Sequence, residues 1–249
     1  MLLQHATWRQ VETYLLRSPG IVVPTGSTEQ HGPMGLIGTD AICAEQIAAR
    51  LALAHDVLVG PGIALGAAQF NLAFPGTVSL RASTLMAVIT DYVESLARQG
   101  FTRFYFLNGH GGNVAPARAA FQDLYLAHPN IRCRLRSWWE YPAVDALRKQ
   151  LYGASEGMHA TPSEVAIVQA LVPDAARDLT LAAPSIVSDV FLRNHAGDQH
   201  WSAAAHRAAF PDGRVGSHSA LARPEHGERL LSLAQTDAWQ DYQSFLTEV

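Results

Sequence analysis

The order of apolar runs and amphipathic stretches predicts an α/β fold, a three-layer sandwich with a mostly parallel sheet flanked by helices. Three observations carry this. Short apolar runs at residues 21–24 and 104–107 alternate with longer segments of helical periodicity, the pattern of a parallel sheet covered on both faces. Glycine-rich turns follow these runs at Gly26 and Gly109, where open α/β sheets gather their ligands. The chain has 249 residues, 48% apolar and 16% charged. It can bury roughly three quarters of its unfolded surface, and residues 1–249 read as a single domain.

Residues 11–16 predict a short helix and 21–24 a buried strand. Residues 41–54 carry Ile42, Ile47 and Leu51 at helical spacing. Residues 57–59 read as a second strand, closed by Gly60 and Pro61. A helix over 83–98 takes Ser83 as its cap and Gly100 as its stop. The strand at 104–107 is followed by a helix over 115–126, which ends near Pro129. Residues 131–138 form the next strand. Residues 162–171 form a helix with proline in its first turn, and 225–246 a long amphipathic helix. The stretch 182–219 lacks periodicity and is rich in Gly, His, Asp and Pro. It reads as an excursion that covers the site or meets a neighbouring subunit.

Lys and Arg number 18 against 22 Asp and Glu, a formal net charge of −4. No cationic cluster marks a nucleic-acid surface. Arg132, Arg134 and Arg136 alternate, as on one solvated face of a strand. Cys43 and Cys133 stand in apolar surroundings and read as buried free thiols. The N-terminal residues lack the basic start and apolar run of a signal peptide. No apolar stretch approaches the ~20 residues of a membrane span. A cytoplasmic protein with no membrane partner is expected.

Three stretches carry ionisable residues among glycines just after strands. The first holds Glu29, Gln30, His31, Gly32 and Pro33, then Gly38, Thr39 and Asp40. In extended backbone, residues two apart point the same way, so Glu29 and His31 share a side, and the glycines let Asp40 fold back towards them. Such an oxygen-and-nitrogen set suits Zn, Mn or Fe. Asp40 is equally placed to cap the helix that follows. The second runs from Asn108 to Asn113, with His110 among three glycines. It is open to a metal-ligand role for His110 or to a phosphate cradle, although it matches neither G-x-G-x-x-G nor the P-loop. The third holds Glu156, His159, Thr161, Pro162 and Glu164. Thr161 with Glu164 fits a capping box, while His159 stands free in the preceding loop as a candidate acid/base.

Taken in this order, the motifs resemble the creatininase (creatinine amidohydrolase) family. The run from Phe74 to Leu80, the run from Phe210 to Arg214 and the run from Pro224 to Arg229 extend the likeness over about residues 20–246. The resemblance implies an α/β sandwich, homo-oligomers (often hexamers) and one or two divalent metal ions per subunit. It implies Glu29, His31, Asp40 and His110 as metal ligands, with Asp40 bridging two ions. His159 and Glu164 match its catalytic positions, Glu164 also as a candidate ligand, and Trp139 matches a tryptophan that helps cover the substrate. The chain departs from creatininase itself at Gly111 and Gly112, where that enzyme has Tyr and a metal-binding Glu, at Ser155, which replaces an aromatic residue, and at Met34. Relatives with the two glycines include formamide hydrolases and peptidases of peptide-derived redox cofactors.

The expected activity is metal-dependent hydrolysis of a C–N bond in a small amide, formamide or cyclic amide. A metal-bound hydroxide attacks, His159 protonates the leaving nitrogen, and Ser27 and Asn108 fix the ligand rings. Two alternatives remain open: a peptidase of the same family, and a non-enzymatic phosphate- or nucleotide-binding module. A Ser or Cys nucleophile is disfavoured, because no G-x-S-x-G elbow occurs and neither cysteine adjoins a histidine.

Overall fold

The computed structural model describes residues 1–173, 179–194 and 202–248. Strands β1 (Gly20–Thr25), β2 (Arg103–Asn108) and β3 (Arg132–Ser137) lie in the order β1-β2-β3 and pair in parallel. Side chains alternate across this sheet with period two. Ile21, Val23, Phe104 and Phe106 enter one core, and Val22, Tyr105 and Leu107 the other.

Helices α1 (Trp8–Leu15), α3 (Ala82–Ala97) and α4 (Val114–Ala127) contribute Tyr14, Leu85, Ile89, Val93, Phe121 and Leu124 to the first core. The second core receives Ile47 and Leu51 from α2 (Thr39–Ala54), Val144 and Leu147 from α5 (Pro142–Tyr152), Ile167 and Val168 from α6 (Pro162–Leu171), and Leu230 and Tyr242 from α9 (Pro224–Leu246). The layers are therefore helix, parallel sheet and helix, as the alternating runs predicted. The short α7 (Asp189–Asn194) and α8 (Ala203–Ala209) interrupt the stretch that lacked periodicity. The rest of that excursion lies partly outside the described residues.

Several local expectations need correction. Val59 joins the sheet margin only through isolated bridges to Val22 and Leu2, because Gly60 and the N–H-less Pro61 cut the ladder short. Helix α3 starts at Ala82 with Arg81 at its N-cap, so Ser83 lies inside it. Helix α5 had no counterpart in the sequence reading, although Pro142 stands in its first turn. The arginines of β3 are not simply solvated. Arg134 and Arg136 each reach Asp241 of α9 at 3.0 Å, so the last helix supplies their counter-charge. Cys43 and Cys133 are unpaired, and burial pushes the Cys133 thiol up to about 12. Among the described residues no helix is long and apolar enough to cross a membrane.

Helix α9 packs on α6 at Gly227. A β-carbon there would stand 2.0 Å from the Ala166 carbonyl oxygen, so the two backbones need the missing side chain. Gly227→Ala is expected to push the helices apart and cost about 1–3 kcal/mol despite its better helix propensity. A urea midpoint unchanged from wild type would refute this.

Candidate metal centre

The sheet register sets the site. Thr25 pairs with Asn108, and Asn108 with Ser137, so the three strands end level and their following turns leave from one edge. The turn after β1 carries Glu29 and His31, the turn after β2 carries His110, and Asp40 comes from the first turn of α2. Close approach brings them together. A β-carbon on Gly109 would lie 2.2 Å from the Asp40 carbonyl oxygen, so glycine lets the start of α2 rest on the β2 turn.

Three overlapping clusters result. Glu29, His31 and His159 form one, and two more share Asp40: Glu29, Asp40 and His110, and His31, Asp40 and Glu164; within each, the donor atoms lie within 4.8 Å of one another. His110 Nδ1 is 3.4 Å from Glu29 Oε1 and 3.1 Å from Asp40 Oδ2. His31 Nε2 is 2.8 Å from Asp40 Oδ1 and 3.9 Å from Glu164 Oε2. Asp40 thus faces both groups with separate oxygens. It is not the helix cap, since Gly38 holds that position.

The outward hydrogen bonds fix the orientation of two rings. His31 Nδ1–H donates to the Glu29 carbonyl oxygen at 3.1 Å, leaving Nε2 to face the carboxylates. His110 Nε2–H donates to the Ala67 carbonyl oxygen at 3.1 Å, leaving Nδ1 inward. A second hydrogen bond of this kind is what orients metal-binding imidazoles. Ser27 Oγ donates to Glu29 Oε2 at 3.4 Å. Asn108 holds the backbone of His110, donating to its carbonyl at 2.7 Å and accepting from its N–H at 3.2 Å. Asn108 therefore steers His110 through the main chain, where the sequence had pointed to the ring.

His159 and Glu164 complete the group. Glu164 makes the expected capping box with Thr161, so the cap and the cluster share one carboxylate. His159 Nε2–H donates to the Gln30 carbonyl oxygen at 2.8 Å, and Nδ1 lies 3.6 Å from Glu29 Oε1. The next residue, Ala160, is a buried non-glycine at φ 57°, local strain of the kind that turns in compact sites hold. Gln30 and Asn71 escaped the sequence reading. Gln30 Nε2 donates to Asn71 Oδ1 at 2.8 Å and to the Gly213 carbonyl at 3.0 Å. As amides without ionisable chemistry they gave no signal, although Gln30 sits between two predicted ligands.

The set fits a divalent cation. Glu29 is 0% exposed and Asp40 3%, and buried carboxylates are costly unless paired or bound to metal. Asp40 Oδ2 receives no aligned hydrogen bond. Among the described residues, the ion-pair partners of Asp40 and Glu164 are histidines. Burial opposes a charged His31, yet Asp40, Glu164 and Glu29 outweigh it and raise its pKa to about 10. Burial raises Glu164 to about 7, against the pull of His31. Burial, with His31 beside it, holds His159 well below the usual imidazole range. The cluster draws positive charge inward, as a cation site does.

A family model described as creatininase, creatinine amidohydrolase, matches residues 4–240. The mycofactocin precursor peptide peptidase of Mycolicibacterium smegmatis is 37% identical over 121 residues, covering 46% of this chain and 47% of that one. The chain thus matches about half the length of that relative. The creatinine amidohydrolase of Pseudomonas putida is 29% identical over 185 residues, covering 68% of this chain and 70% of that one. A solved manganese creatininase is similar with a TM-score of 0.79 at 25% identity, covering 99% of each chain. A creatininase mutant of Zn-Zn type shares the fold, with a TM-score of 0.79 at 24% identity, covering 99% of this chain and 98% of that one.

Proposed function

Because the chain belongs to the creatininase family of hydrolases, we propose that it is a divalent-metal amidohydrolase that cleaves a C–N bond in a small amide, formamide or cyclic amide. The observation that carries this is the sharing of Asp40 between two buried donor clusters. Glu29, Asp40 and His110 would hold one ion, and His31, Asp40 and Glu164 a second. Zinc and manganese suit this oxygen-and-nitrogen set.

When bound, such an ion supplies Lewis acidity, lowering the pKa of water from about 15.7 toward ~7 and polarising an amide carbonyl. The protein's own groups do the rest. His159 Nδ1 faces the cluster while Nε2 is tied to Gln30, so this ring moves the proton between water and the leaving nitrogen. Burial, with His31 beside it, keeps the ring neutral. The carboxylates of Glu29 and Asp40 hold the positive charge in place, and the half-buried Trp139 walls the cavity beside them.

Hydrolysis of a peptide bond is the second reading, favoured by the similarity to a peptide peptidase. A phosphate-binding module is disfavoured, since the glycine-rich turn points His110 at two carboxylates, which would repel a phosphate.

Elemental analysis of the protein as purified should find up to two divalent ions per subunit. Phenanthroline should abolish amide hydrolysis, and zinc or manganese should restore it. Metal-free protein with undiminished turnover would overturn the proposal. A screen over formamides, lactams and short peptides separates the two readings.

A further inference from the structure

A cavity of about 440 Å³ opens beside the clusters, and two guanidinium groups line it. They are in different states. Arg148 donates Nε–H to Glu156 Oε1 at 2.8 Å and Nη1–H to the Trp139 carbonyl at 3.0 Å, so its charge is matched and its geometry locked. Arg118 is exposed and makes no ion pair or hydrogen bond with any described residue. It stands on α4 one turn beyond Val114, and both line the cavity together with His110. Residues four apart share a helix face, so α4 presents this unmatched cation along the wall that leads away from the cluster. Glu140 also lines the cavity and makes no ion pair with Arg118.

We infer that Arg118 is a specificity-determining residue that binds an oxyanion group of the substrate, a carboxylate or a phosphate, at a point removed from the scissile amide. This rests on the amidohydrolase reading and names its substrate class as anionic. A planar guanidinium takes two oxygens of either group in a fork. Because Arg148 is already paired with Glu156, Arg118 is the arginine of this wall without a counter-charge among the described residues.

Calorimetric titration of the metal-loaded full chain tests this with three probes: N-acetylphenylalanine, its neutral amide, and phenyl phosphate. At least one anion should bind about tenfold tighter than the amide, the scale of a charge-assisted hydrogen bond. The tighter of the two anions names the source. Arg118→Met should erase the preference while leaving metal content and binding of the amide unchanged, and Arg118→Lys should keep part of it. Anions that bind no better than the amide would overturn the inference. So would a preference that survives Arg118→Met, since the anion would then sit on the metal cluster. A chain that holds no divalent metal fails the earlier reading instead, which the same elemental analysis detects.

Discussion

Asp40→Asn is expected to release both metal ions and lower kcat/KM by about 10³-fold or more. The shared position of this side chain is the reason. Its Oδ1 meets His31 and its Oδ2 meets His110, so the loss of one charge weakens both donor sets together. Metal-ion catalysis supplies several kcal/mol of transition-state stabilisation, and each 1.36 kcal/mol is tenfold in rate. Glu164→Gln provides the contrast, since it belongs to one cluster only and should remove one ion per subunit. Glu29→Gln and His110→Ala should likewise abolish activity and lower metal content with the fold intact. Mass-spectrometric metal counts beside circular dichroism read all four variants. An Asp40→Asn protein that retains two ions and wild-type turnover would refute the shared-ligand assignment.

The second large effect is on the proton. His159→Gln should reduce kcat by ~10²–10⁴, the usual worth of a positioned acid or base, with metal content unchanged. The split follows from the geometry: His159 meets Glu29 at 3.6 Å and the His31 ring at 4.6 Å between centroids, while the two clusters that share Asp40 are complete without it. Loss of metal from His159→Gln would instead make this ring a ligand. Wild-type kcat with full metal would remove it from the chemistry.

The layered fold was legible because the strands are short and buried on both faces, so their apolar runs stand out between helical periods. Residues 21–24 and 104–107 were found inside β1 and β2, each extended at its ends in the structure. Residues 57–59 have equal strand propensity, and the sequence could not show that Pro61 stops the pairing. Helix α5 was hidden because it buries little beyond Val144, Leu147 and Tyr152. At the site, charged groups among glycines marked Glu29, His31, Asp40 and His110, and the structure brings all four together. Gln30, Asn71 and Arg118 carried no comparable signal. Two are neutral amides whose roles depend on partners far along the chain. The third is one exposed arginine on a core-packed helix, distinguished only by what it faces.

Glu164 answers to two unrelated demands. Its Oε1 accepts the Thr161 N–H that starts α6, and its Oε2 faces His31. Glutamine would satisfy the backbone but bring no charge, and aspartate would keep the charge but fall short of the N–H. On the proposed reading, neither substitution meets both demands at once. Variation in this enzyme has freer ground in the cavity wall than beneath it.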